Sequence, residues 1–404
     1  MSSIALFPCT FIPVAEVIGK LQNDLKLKPY HDKVLFADTA AKFHVEPEKL
    51  TKVMYGRTSV FNKFTLEKEI HVNMFRLVLA DKLGEAEPYL FQGLLTSLIP
   101  PQVAHVLRVL IVDKKKSRIA RAIKEGLSEN EAKKAVRNHD ISAYNWTDFL
   151  FHKEAYDHSL YDLVLPAEDK SPSQLTEEIS GCYHKTSVLH TAESQSAVQN
   201  MLLEAEVERA LLLDGHNVVV KADNGDISLV TRESVFNLGN LKSKLTEIVQ
   251  QVKGVKNIDL SQAPLSNDSI YRKQKFELPS KVLFVDDEKE FVQTVSQRLI
   301  SRDVGTYGVF NGEDALDIIA DDRPDVMILD LKMPGLYGVE VLRRTKEIAP
   351  EVEVIVLTGH GTSKDMHDCM ELGAFAYMNK PVDIEELSAT IKAANEKVHS
   401  RSGQ

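Results

Sequence analysis

The sequence predicts an α/β protein whose C-terminal part is an open, doubly wound parallel sheet. Two short apolar runs carry that reading. Lys281 to Val285 has the character of a strand buried on both faces and stops at Asp286-Asp287-Glu288. Val326 to Leu329 stops at Asp330, followed by Lys332-Met333-Pro334-Gly335. If the runs are parallel neighbours, their C-terminal ends share the edge where such sheets bind ligands. Three carboxylates then meet, and like charges that close raise one another's pKa unless a cation offsets them. An all-oxygen cluster suits Mg²⁺, which keeps several waters and often takes a phosphate oxygen. A third observation, strand-like runs alternating with helical stretches through the first 165 or so residues, makes the N-terminal part α/β as well.

A chain of 404 residues predicts two to four domains. Its 43% hydrophobic and 27% charged residues are ordinary for a globular chain, and the net charge of −10 argues against nucleic acid as a main partner. No apolar run reaches the ~18 residues of a membrane helix, and Met1-Ser2-Ser3 lacks the basic start of a secretory signal. Cys9, Cys182 and Cys369 are too few and too dispersed for a disulfide or zinc framework. The expectation is a cytoplasmic protein without a membrane partner.

In order, Ile4 to Phe7 reads as a first strand, and Val14 to Leu25 as a helix with Val14, Val17, Ile18 and Leu21 on one face. Glu67 to Leu83 is helical, Val106 to Val112 a strand, and Lys114 to Glu125 a charged helix. Ser128 opens another helix with Glu131 three residues on, a capping box, and Leu160 to Leu165 is a last strand. Through Val14–Leu21, Tyr30-His31-Asp32-Lys33, Val106–Val112, Arg118, Arg121, Gly126-Leu127-Ser128 and Ser159–Val164, residues 1–186 resemble the cytidylate-kinase-like family of P-loop nucleoside monophosphate kinases. The resemblance implies a P-loop-kinase-like α/β domain. Where that family has its glycine-rich phosphate loop, this chain has Pro8-Cys9-Thr10-Phe11-Ile12-Pro13. Such a loop needs successive N–H groups turned toward the anion, and proline has none to offer. The expectation is a domain that transfers no phosphoryl group, with no nucleotide-binding residue assigned. Lys114, Lys115, Lys116, Arg118, Arg121 and Arg137 are either the remnant of a phosphate-clamping lid or a solvated helical face.

Residues 187–260 read as a small α+β domain: a helix over Gln195–Leu212, strands at Val218–Val220 and Ile227–Val230 about an Asn224-Gly225 hairpin turn, a helix over Leu241–Val252, and a strand at Val255–Ile258. This order resembles a BON-type domain, which implies binding rather than catalysis. Residues 261–280 are polar and aperiodic, a linker.

Beyond the first acidic tip, Phe291, Val292, Val295 and Leu299 face inward on one helix. Further helices run over Gly312–Ile319, Val339–Ile348 and Ile384–Val398, with strands at Val354–Leu357 and Ala376–Met378. The expected fold is flavodoxin-like. Asp286/Asp287, Asp330, Met333-Pro334-Gly335, Thr358-Gly359, Tyr377 and Lys380-Pro381, in that order, make residues 281–400 resemble the receiver domain of bacterial two-component response regulators. The resemblance implies that Asp330 is the phosphoacceptor. It implies Mg²⁺ on Asp286, Asp287, Asp330 and the Lys332 backbone carbonyl, Lys380 paired with the phosphoryl oxygens, and a Lys380–Pro381 peptide often cis. Thr358 would hydrogen-bond the new group, and Tyr377 would turn inward as the switch. The implied partner is a sensor histidine kinase or phosphotransfer protein, and a homodimer through the receiver is open.

Three functions follow: a phosphorelay response regulator acting on upstream domains or a partner protein, a receiver-gated nucleotide kinase or nucleotide-binding sensor, and a phosphate sink or scaffold.

Overall fold

The computed structural model describes every residue except 169, 232–237, 263–280, 301, 303, 360 and 403–404. The chain forms two compact units, Met1–Thr58 with Lys68–Tyr271, and Ser59–Glu67 with Arg272–Gln404.

In the first unit, β1 (Ser3–Pro8), β2 (Lys28–His31), β3 (Tyr89–Gln92), β4 (Val106–Val112) and β5 (Leu163–Pro166) form one parallel sheet in the order β2-β3-β1-β4-β5. β1 is buried along nearly its whole length because helices cover both faces, so its sequence is a continuous apolar run rather than an alternating one. β2 and β3 had no expected counterpart. They are four residues each, and Lys28-Pro29-Tyr30-His31 carries one buried side chain, too little for a pattern. The last strand starts at Leu163, because residues 158–160 form a 3₁₀ turn. Ser128 caps the helix Glu129–Phe151, with both bonds of the capping box to Glu131 present. Trp146 is fully buried on that helix, its indole N–H donating to the Leu94 carbonyl and Ser97 Oγ at 3.0 Å each.

The helix Ala192–Leu213 leads to β6 (Val219–Asp223), β7 (Asp226–Thr231), the helix Leu238–Val249 and β8 (Asn257–Gln262), the expected α-β-β-α-β order. Asn224 and Gly225 sit at φ +50° and +100°, the left-handed pair that a two-residue hairpin turn requires. β8 runs to Gln262, two residues into the stretch expected to be linker; 263–280 lie outside the described residues.

His105, before β4, is buried against Ser194 and the ring of His190, 4.7 Å away. Burial, then the neighbouring His190, lowers its pKa from 6.5 to about 4. The unfolded chain therefore takes a proton that the folded one refuses. This contribution to stability is complete above the unfolded value and is lost as pH falls toward the folded one. Between pH 7 and pH 5 the first unit is expected to lose about 2 kcal/mol. Urea unfolding followed by Trp146 fluorescence will show it, and His105→Gln is expected to flatten the slope.

In the second unit, β9 (Val282–Val285), β10 (Thr306–Val309), β11 (Val326–Leu329), β12 (Glu353–Thr358) and β13 (Ala376–Asn379) are all parallel, in the order β10-β9-β11-β12-β13. This is a flavodoxin-like, doubly wound sheet, with the order reversing between β9 and β11. β9, β11 and β12 are wholly buried. Beyond the expected helices, β10 and the helix Ser363–Glu371 complete the five βα repeats.

Ser59–Glu67 also packs in this unit. Phe61 is fully buried in the cluster of Val309, Ile319 and Met327, edge-on to Tyr307 at 6.1 Å. The Val60 N–H donates to Asp322 Oδ2 at 3.1 Å. Phe64 lies over Gly305, where a Cβ would come within 2.5 Å of the ring. Phe61→Ala is expected to destabilise this unit by about 3–5 kcal/mol, through lost burial and a cavity. Faster amide exchange in β9 and β10 of the full chain is the readout.

Candidate functional site

The site follows from one register. β9 and β11 pair Val285 with Leu329, so the next residues, Asp286 and Asp330, emerge side by side at the C-terminal edge where strand order reverses. The Asp330 N–H donates to the Val285 carbonyl at 2.9 Å, and the Asp286 N–H to the Val309 carbonyl at 3.1 Å, which fixes both strand tips. Asp286, Asp287 and Asp330 each bring a carboxylate oxygen within 4.8 Å of the others. Asp286 and Asp330 are buried, while Asp287 lies at the more open rim.

Lys380, at the end of β13, reaches into this group. Its Nζ lies 2.6 Å from Asp286 Oδ2, 3.1 Å from Glu288 Oε1 and 3.3 Å from Asp330 Oδ2. Burial pushes the Asp286 carboxyl above its usual range, and the bond to Lys380 pulls against that. Burial also works against the Lys380 ammonium, but its bond to Asp286 and the attraction of Asp286 and Asp330 outweigh it, and its pKa is raised. One ammonium against this many carboxylates leaves negative charge in excess. The donors are all hard oxygens, so the residues present fit a small divalent cation.

The two oxygens of Asp330 are not equivalent. Oδ1 accepts the Leu331 N–H at 2.7 Å and the Lys332 N–H at 3.4 Å, while Oδ2 faces Lys380. The backbone therefore sets the rotamer and leaves one oxygen toward the cleft. Thr358, fully buried, ends β12, and its carbonyl accepts the Lys380 N–H at 3.0 Å. The Lys380–Pro381 peptide is cis. Tyr377, on β13, pairs with Val356 of β12, its hydroxyl buried beside Gly361. Asp286, Asp287, Asp330, Thr358, Tyr377 and Lys380 thus lie at this one sheet edge or in the strands that end there.

Sequence reasoning missed three contributors. Phe291, read only as an inner-face residue, is partly buried with its ring 4.4 Å from Lys380 Nζ, a cation–π seat for the ammonium. Glu288 is a further anion on the same lysine. At Gly338, which opens the helix Gly338–Ile348, a Cβ would lie 2.3 Å from the Asp330 carbonyl oxygen and 2.6 Å from the Leu331 Cα. A glycine eight residues after Asp330 was a signal, but only the close approach gives it meaning.

The corresponding edge of the first sheet is built differently. Phe11, in the loop after β1, has φ +57°. The Thr10 and Phe11 carbonyls accept from Arg118 Nε at 3.2 Å and Arg121 Nη1 at 3.3 Å. Arg118 is 2% exposed and also donates to Thr10 Oγ1 at 3.0 Å and to Asp140 at 2.7 and 3.1 Å. Burial disfavours the Asp140 carboxylate, yet bonds from His139, Arg118 and Tyr156 hold its pKa far below the usual range. The basic set therefore divides. Lys114 at the N-cap, Lys115 and Lys116 in the first turn, and Arg137 on the next helix are exposed, whereas Arg118 and Arg121 turn inward, against the reading of one solvated face. The reason is amphipathicity: Arg118 shares its face with buried Ala122.

Among known proteins, residues 282–392 match the response regulator receiver domain, and residues 15–169 the cytidylate kinase-like family. Sporulation initiation phosphotransferase F of Bacillus subtilis (strain 168) is 36% identical over 112 residues, 28% of this chain and 90% of that protein. A response regulator receiver domain protein from Clostridium thermocellum is 36% identical, covering 29% of this chain and 95% of its own, with a TM-score of 0.28. The signal receiver domain of a putative Luxo repressor protein from Vibrio parahaemolyticus is 24% identical, covering 30% and 95%, with a TM-score of 0.30. Among the described residues no helix is long and apolar enough to cross a membrane. With nine-tenths of the Bacillus relative spanned at 36% identity, the chain belongs to the response regulator receiver family, its receiver joined in one polypeptide to a cytidylate kinase-like domain.

Proposed function

We propose that this protein is a phosphorelay response regulator in which Asp330 accepts a phosphoryl group from the phosphohistidine of a sensor histidine kinase or phosphotransfer protein. The observation that carries the reading is the pairing of strand tips that sets Asp286, Asp287, Asp330 and Lys380 around one point. The name of the Bacillus relative, a phosphotransferase of sporulation initiation, agrees with a relay. Oδ2 of Asp330 attacks phosphorus, the P–N bond breaks with its electron pair going to the imidazole, and an acyl phosphate forms. The Leu331 and Lys332 N–H groups hold the other oxygen, so the nucleophile is oriented before the donor arrives. Lys380, 3.3 Å from Asp330 Oδ2, would pair with the phosphoryl oxygens as Asp330 gives up its own charge. Asp286, Asp287, Asp330 and the Lys332 carbonyl would hold Mg²⁺, which supplies charge neutralisation for the transferring group. Thr358 and Tyr377 then carry the local change of charge into a change of surface.

For the N-terminal domain, the orientation of the loop after β1 favours a role other than phosphoryl transfer. A phosphate loop offers N–H groups to an anion, whereas this one offers carbonyls to two guanidinium groups. The relay reading is therefore preferred over a gated nucleotide kinase. Its test is incubation of the full chain with acetyl phosphate and Mg²⁺. One hydroxylamine-labile phosphoryl group is expected on the peptide carrying Asp330, lost when EDTA replaces the metal. ATP turnover by the same preparation, with no label at Asp330, would reverse the preference.

A further inference from the structure

Gly361 lies three residues beyond Thr358, in the loop after β12. A Cβ built there would fall 1.6 Å from the Tyr377 hydroxyl oxygen, 2.9 Å from the ring carbon that carries it, and 2.9 Å from the Thr358 methyl. What the absent side chain provides is space, and the Tyr377 hydroxyl fills it. That hydroxyl is buried and has no hydrogen-bond partner among the described residues.

We infer that Gly361 is a positioning residue for the switch, the element that admits the Tyr377 ring to its buried orientation against Thr358. The inference rests on the reading of Tyr377 as the switch and adds what makes room for the inward position of that switch. A buried phenol normally finds a partner, and leaving it without one costs free energy. Among the described residues, the buried orientation is therefore held by ring packing and by the room at 361, with no polar bond to the hydroxyl. A side chain of any size at 361 removes the room, and the ring has one soft response, rotation about its Cα–Cβ bond toward solvent. On this reading the ring chooses between this buried position and one facing solvent, and residue 361 biases the choice from outside the cluster of Asp286, Asp287, Asp330 and Lys380.

The test compares the full chain with its Gly361→Ala variant. Tyrosine nitration by tetranitromethane is mapped by mass spectrometry, with Tyr144, 41% exposed, as the internal reference. The expected result is a several-fold rise in nitration of Tyr377 relative to Tyr144 in Gly361→Ala. An unchanged ratio overturns the inference. A second arm guards against a variant that is merely less stable: Gly361→Ala is also made in a Tyr377→Phe background. Without the hydroxyl the methyl at 361 is better tolerated, so the drop in melting temperature is expected to be smaller there. An equal drop in both backgrounds overturns the inference too. Neither readout depends on phosphorylation, so loss of the acyl phosphate reading and loss of this one are separable.

Discussion

Asp330→Asn is expected to abolish phosphoryl uptake from acetyl phosphate while leaving the fold in place. The carboxamide is nearly isosteric, and its oxygen can keep the Leu331 and Lys332 N–H bonds that position the side chain. The atom turned toward Lys380 becomes an NH₂, which is no nucleophile toward phosphorus and adds a second donor facing an ammonium. The site also loses one of its three clustered carboxylates, so its affinity for a divalent cation is expected to fall with the chemistry. Phos-tag electrophoresis of both proteins, with and without Mg²⁺, reads the outcome. Equal mobility shifts in wild type and variant would falsify the assignment of Asp330 as acceptor.

Lys380→Ala is the second large effect, through charge rather than the nucleophile. Its ammonium is bound by three carboxylates and rests on the Phe291 ring. Removing it leaves Asp286 and Asp330 facing each other without that cation. Burial already raises the Asp286 pKa, and loss of the lysine raises it further, so protons compete with metal for the site at higher pH. During transfer the positive charge beside the phosphoryl oxygens is missing as well. Loss of one such group from a preorganised site typically costs about 10²–10³-fold in rate. The expected result is a fall of that order in phosphorylation rate at saturating Mg²⁺, with Phe291→Leu giving a much smaller one. A Lys380→Ala rate within a few-fold of wild type would remove the lysine from its proposed role.

The receiver's acidic site was legible because its parts are local in sequence and regular in placement. Each carboxylate ends an apolar run, and a parallel pairing of two such runs has one outcome for their tips. The N-terminal basic set was not legible in the same way. Arg118 and Lys116 are two residues apart on one charged helix, yet one is buried against Thr10 and Asp140 and the other is exposed. Charge alone does not say which face a helix buries when burial is compensated by partners from two other elements. The same limit hid Phe61, whose apolar character was visible but whose seat is made by residues more than 240 positions away.

By itself, the sequence determined the class of each sheet, the order of most elements, and the acidic cluster, since strand ends, turn residues and apolar period are written locally, while Lys380 was expected there only through the family resemblance. Tertiary structure alone decided which helical face holds Arg118, where the strip at 59–67 packs, that Phe291 seats Lys380, and that Gly361 makes room for Tyr377. These are matters of distance between segments remote in the chain. Space and dielectric at a point depend on everything packed around it, and no single stretch of sequence carries that information.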